Sequence, residues 1–73
     1  MRVIGIDPGT ARTGWGVVEF NNGLLKLIDF GYIKTTPSQS KEERLKKIYE
    51  DLLAVIKSKM PDDMAIEKIF FNI

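Results

Sequence analysis

The chain has 73 residues, room for one small domain, and a domain of that size hides only about 60% of the surface its unfolded chain exposes. With 44% hydrophobic and 29% charged residues it has the composition of a folded chain rather than a disordered one, and a net charge of +1 neither draws nucleic acid by itself nor argues against it. Cysteine and histidine are both absent, which excludes disulfides, thiolate metal centres and imidazole chemistry and leaves carboxylates as the available bases and metal ligands.

The first element is Val3 to about Asp7, a short apolar run with β-branched residues that predicts a buried strand. Asp7 ends the run, and Pro8-Gly9 breaks it at once. An acid there is held by the sheet yet faces solvent, as a metal-binding or phosphate-facing carboxylate must. Asp-Pro-Gly is also good turn chemistry in its own right, so both readings stand at this point. A Gly-rich connection from Gly9 to about Arg12 leads to a second predicted strand, Thr13–Phe20, with Trp15, Val17, Val18 and Phe20 as packing residues. Gly14 and Gly16 inside it suggest close backbone approach or a bulge. Asn21-Asn22-Gly23 predicts a tight hairpin with positive φ at both central positions, which makes Leu24–Ile33 a third strand, antiparallel to the second. Lys34–Gln39, polar and containing Pro37, reads as a loop.

Ser40 is a good N-cap with Glu43 three residues on, the pattern of a capping box. Leu45, Ile48, Tyr49, Leu52, Leu53 and Ile56 then recur at the spacing of one buried helical face. Glu43 stands four before Lys47, a favourable surface pair, and Lys57 and Lys59 suit the C-terminal end of the helix dipole. Met60-Pro61 ends the helix, and Asp62-Asp63 makes a polar turn. Met64–Phe71 reads as a fourth strand with Glu67 interrupting its apolar centre. No apolar run is long enough to span a membrane, and Asp7 interrupts any signal-peptide pattern, so a cytoplasmic setting is expected.

A strand, a helix and another strand form a crossover unit, which normally returns the chain parallel to an earlier strand. The most apolar partner is strand one. The expected fold is therefore α/β: a mixed sheet of order 3-2-1-4, three antiparallel strands followed by a helical crossover to a parallel fourth. Adjacent strands lie about 4.8 Å apart, so Asp7 and Glu67 would be neighbouring carboxylates at one edge. Such a pair repels unless a cation lies between, and hard oxygen ligands suit Mg²⁺ or Mn²⁺. The plainer alternative puts Glu67 on the solvated face of an edge strand. The helix covers one sheet face only. That leaves Trp15, Val17, Leu25, Leu27 and Ile33, or the opposite set with Phe30 and Tyr32, on the other.

Ile4-Gly5-Ile6-Asp7-Pro8-Gly9-Thr10 followed by Thr13-Gly14-Trp15-Gly16-Val17 resembles the start of the RuvC family of Holliday junction resolvases. Pro61-Asp62 and Ala65-Ile66-Glu67, then Phe70, resemble its second acidic block, and the helix beginning near Glu42-Glu43-Arg44-Leu45 fits the stretch between them. The resemblance implies an RNase H-like fold and a dimeric, Mg²⁺-dependent endonuclease (Mn²⁺ being possible) that nicks opposed strands of a four-way DNA junction and works with the RuvA and RuvB branch-migration proteins. It implies catalysis by two metals about 3.5–4 Å apart, with Asp7 bridging both and Glu67 holding one. It also matches Phe70 to an aromatic that approaches bases near the crossover, although a core phenylalanine is an equal reading. Arg12 can be read as touching a phosphate beside the site or as an exposed turn arginine. In the family the resemblance points to, two further catalytic aspartates come from a later helix with no counterpart before Ile73, and the helical region following Glu67 that builds much of the dimer interface has no counterpart either. Residues 1–73 are thus expected to be the N-terminal part of one RNase H-like nuclease domain, truncated relative to the family and inactive alone. Two rivals remain: an actin-like or sugar-kinase-like ATPase, whose phosphate loop resembles Asp7-Pro8-Gly9-Thr10, and a binding module without turnover.

Overall fold

The computed structural model describes residues 1–9 and 11–66. They form β1 (Arg2–Asp7), β2 (Arg12–Asn21), β3 (Leu24–Lys34), α1 (Lys41–Lys59) and β4 (Asp63–Ile66). The sheet order is β3-β2-β1-β4, with β1 parallel to β4 and antiparallel to β2, and β2 antiparallel to β3. This is the mixed arrangement, with the fourth strand parallel to the first, expected from the crossover. The last part of the predicted fourth strand, with Glu67 and Phe70, lies outside the described residues.

The local chemistry accounts for each boundary. Asn22 and Gly23 both have positive φ, 52° and 79°, the backbone a two-residue hairpin needs to match the twist of its strands. The Ser40 hydroxyl accepts a hydrogen bond from the Glu43 amide at 3.1 Å and so caps α1. Met60 closes the helix in the left-handed region, its N–H donating to the Ile56 carbonyl at 2.8 Å. Lys47 pairs with Asp51 at 3.0 Å rather than with Glu43 as its spacing suggested. Both acids are one turn away, and the ammonium settles on the C-terminal one.

The C-terminal end of α1 is tied to the sheet at two points. Arg2 donates from Nε to Glu19 at 2.7 Å and from Nη1 to the Lys59 carbonyl at 2.8 Å, while its own backbone exchanges hydrogen bonds with Asp62. Lys59 in turn reaches Asp29 on β3 at 2.9 Å. These contacts deliver the chain to the outer side of β1 and start β4 parallel to it.

The core lies between α1 and the sheet. Ile4, Ile6 and Val17 are buried there, with Trp15, Ile28, Leu52, Val55 and Ile56 packed against them. The predicted helix face is only partly buried: Leu45, Tyr49 and Leu53 stay exposed beside Ile6, Met64 and Ile66. The described sheet is four strands wide, and this flank of α1 overhangs β4, its edge strand.

The opposite sheet face carries a finding that alternation alone does not give. The β2–β3 ladder is interrupted between Val17 and Val18: Val17 pairs with Asp29 but Val18 pairs with Leu27. This bulge leaves Ile28 as the extra residue. Trp15, Val17 and Ile33 consequently face the helix, whereas Leu25 and Leu27 join Phe30 and Tyr32 on the other face. Neither of the two sets expected from simple alternation is preserved, because a one-residue offset exchanges the faces of everything beyond it.

Candidate metal and nucleic-acid site

Asp7 is the last residue of β1 and is exposed. Its carboxylate has no hydrogen-bond or ion-pair partner among the described residues. Pairing sets it against Gly14 on β2, and Gly14 against Tyr32 on β3, so one row across three strands reads carboxylate, hydrogen, aromatic ring. The next row inward is Gly5, Gly16 and Phe30. Glycines therefore floor an open trough of about 470 Å³, with Asp7 at one wall and Phe30 and Tyr32 at the other. A Cβ on Gly14 would stand 3.5 Å from the Tyr32 ring and 3.9 Å from the Cβ of Asp7, filling the space between them. The sheet reaches that row with bare backbone, which lets a bulky ligand approach as side chains would not.

Arg12, the first residue of β2, is exposed and holds its guanidinium 5.0 Å from the centroid of the Tyr32 ring. The structure thus brings two of the sequence-derived site residues, Asp7 and Arg12, to the same end of the sheet. Glu67 and Phe70 lie outside the described residues. Among the described residues no group of three or more acidic side chains is close enough to hold a metal ion. Asp7 offers a hard oxygen donor with no competing partner, which fits a divalent cation, but one carboxylate supplies only a fraction of an octahedral shell.

Tyr32 and Phe30 were not singled out as site residues from sequence. Their signal was the Phe30-Gly31-Tyr32 run, whose alternating bulk matches Gly14-Trp15-Gly16 once the bulge is counted. On the helix side the same match seats the Trp15 ring over Gly31: a Cβ there would meet Trp15 at 2.8 Å.

Residues 3–73 match the family model described as crossover junction endodeoxyribonuclease RuvC. The chain belongs to the RuvC family. It is 52% identical over 72 residues to a crossover junction endodeoxyribonuclease RuvC of Chloroflexus aurantiacus, covering 99% of this chain and 44% of that protein. It is 47% identical over 72 residues to the RuvC of Desulforamulus reducens, again covering 44% of the relative. The chain spans less than half the length of the curated relatives it matches. Among solved structures, Thermus thermophilus RuvC in complex with Holliday junction substrate superposes with a TM-score of 0.88 at 34% identity, covering 99% of this chain and 46% of that one. An Aquifex aeolicus Ppx/GppA phosphatase shares the fold alone, with a TM-score of 0.70 at 20% identity over 90% of this chain. Membership of the RuvC family favours the nuclease reading over the actin-like or sugar-kinase-like one.

Proposed function

We propose that residues 1–73 are the N-terminal part of a single nuclease domain in a crossover junction endodeoxyribonuclease, a hydrolase that cuts phosphodiesters at four-way DNA junctions in recombination and repair. The observation that carries the reading is the parallel register of β1 and β4. Val3 pairs with Asp63 and Ile6 with Ile66, so one further step of that ladder would set Asp7 against Glu67. Two carboxylates on adjacent strand ends need a cation between them. Asp7 and Glu67 are the residues we assign to hold it, as catalytic and metal-binding acids, and Mg²⁺ or Mn²⁺ suits their oxygens. A divalent cation bound there would supply Lewis acidity and an activated water for attack on phosphorus.

The chain's own residues position the strand to be cut. Asp7 fixes the position of the reacting phosphate relative to the sheet, because β1 is central and its end does not move independently of the core. The glycine floor admits the sugar-phosphate chain to that carboxylate. Arg12 stands at the same sheet end as a phosphate contact, and Phe70, three residues past Glu67, is assigned to stack on a base, an interaction worth about 1–3 kcal/mol where it occurs. Four-way junction DNA is the proposed substrate, the full-length protein the proposed homodimer, and RuvA and RuvB its proposed partners. Among the described residues no helix is long and apolar enough to cross a membrane; a cytoplasmic setting is part of the proposal.

The test is Asp7→Asn in the full-length protein. It removes an anionic ligand with little change of shape. Junction cleavage in Mg²⁺ is expected to disappear while junction binding persists; cleavage near the wild-type rate would reject the assignment.

A further inference from the structure

Lys34 pairs directly with Arg12 at the open end of the β2–β3 ladder, and the two residues lie one side-chain row beyond Gly14 and Tyr32 on the trough face. Both are exposed. Arg2, Lys47 and Lys59 each pair with a carboxylate, whereas neither Arg12 nor Lys34 has a carboxylate partner among the described residues. Like charges directly opposite on neighbouring strands are destabilising, since their Cβ atoms are only about 4.5–5.5 Å apart. An anion seated between them would relieve that repulsion. The Tyr32 ring holds the Arg12 guanidinium in place from below, at 5.0 Å from its centroid. A cation–π contact with a ring leaves the N–H donors of a guanidinium free for the oxygens of a phosphate. From strand and row spacings the backbone of Arg12 stands roughly 8 Å from that of Asp7, and that of Lys34, one strand further out, roughly 12 Å.

We propose that Arg12 and Lys34 form a phosphate-binding step for the DNA strand that runs over the glycine floor to Asp7, with Tyr32 as the positioning residue that presets Arg12. This rests on the nuclease reading above and extends it to two residues, Lys34 and Tyr32, and to one ligand, a backbone phosphate of the bound strand. The step carries no base specificity, because a phosphate contact sets register and not sequence.

The experiment measures affinity of the full-length protein for a synthetic four-way junction, without divalent cation, across a salt series. Arg12→Ala and Lys34→Ala are each expected to make the slope of log affinity against log salt shallower by about 0.9, the signature of one lost phosphate contact. Tyr32→Leu is expected to lose about threefold in affinity by releasing Arg12, and Tyr32→Phe, which keeps the ring, to bind as wild type. Unchanged slopes in variants with wild-type circular dichroism overturn the proposal. So does equal loss in Tyr32→Leu and Tyr32→Phe, or a fall in melting temperature with the slope intact, which would mean that this face packs against protein. A wild-type protein that binds no junction at all overturns the nuclease reading itself, and this step with it.

Discussion

Two aspartates show how differently the same side chain is used. The Asp7 carboxylate has no hydrogen-bond or ion-pair partner among the described residues, so its charge adds no native polar contact that folding would lose on substitution. Asp29 is the opposite: the Lys59 ammonium, 2.9 Å away, and the Phe30 amide, 2.8 Å away, hold its carboxyl below the ordinary value of 3.8. A carboxyl whose folded pKa lies below its unfolded one stabilises the fold above the unfolded value and loses that contribution as pH falls through the folded value. Asp29→Asn is therefore expected to lower the melting temperature at neutral pH, with the gap to wild type closing as the pH drops below 3.8. The effect is small, because the pair is solvated. A gap that stays constant down to acid pH would show that Lys59 does not anchor α1 through charge.

At the level of elements, two glycines separate backbone from packing. Gly23 sits at φ 79° with open space around it, so Gly23→Ala meets only the left-handed backbone penalty of about 1–2 kcal/mol. Gly31 has no unusual φ, but its new methyl would lie 2.8 Å from the Trp15 ring. Gly31→Ala is expected to cost about 1–3 kcal/mol by displacing that ring. Tryptophan fluorescence distinguishes them: it should shift in Gly31→Ala and stay put in Gly23→Ala, and the reverse would refute the packing account. The same contrast explains what the sequence made legible. Asn22-Gly23, Ser40 with Glu43, and Met60-Pro61 act within a few residues, so the hairpin, helix and crossover were readable, and with them the strand order and the place of Asp7. The bulge was not. A ladder counted outward from the turn sets Tyr32 against Thr13, on the helix face. One extra residue at Ile28 moves it opposite Gly14, into the trough. That offset is chosen by tertiary packing, which seats Ile28 against the core and Trp15 over Gly31, and no local residue announces it. The Arg12–Tyr32–Lys34 cluster was hidden for that reason.

At the scale of the whole molecule, the described residues form one sheet and one helix, extending 45 × 32 × 15 Å, and thinness decides their behaviour. A layer this thin buries one sheet face only. On the trough face Phe20, Leu25, Leu27, Phe30 and Tyr32 are each more than half exposed, and on the flank of α1 so are Leu45, Tyr49 and Ile66. Each group is a run of neighbouring exposed apolar side chains, the kind of surface a soluble monomer ordinarily covers. Residues 1–73 expressed alone are therefore expected to fold, since the core of Ile4, Ile6 and Val17 with its helix partners is internal to them, and then to self-associate through an uncovered face. Sedimentation at micromolar concentration should reveal species larger than the monomer; a clean monomer would reject the exposed-face account. The same preparation, incubated with a four-way junction and Mg²⁺, is expected to give no paired nicks. On the proposed assignment Asp7 and Glu67 would supply two carboxylates, too few to hold a pair of cations in place for in-line displacement. Specific paired nicking by residues 1–73 would mean that these two acids suffice and that the remaining length of the relatives serves assembly rather than chemistry.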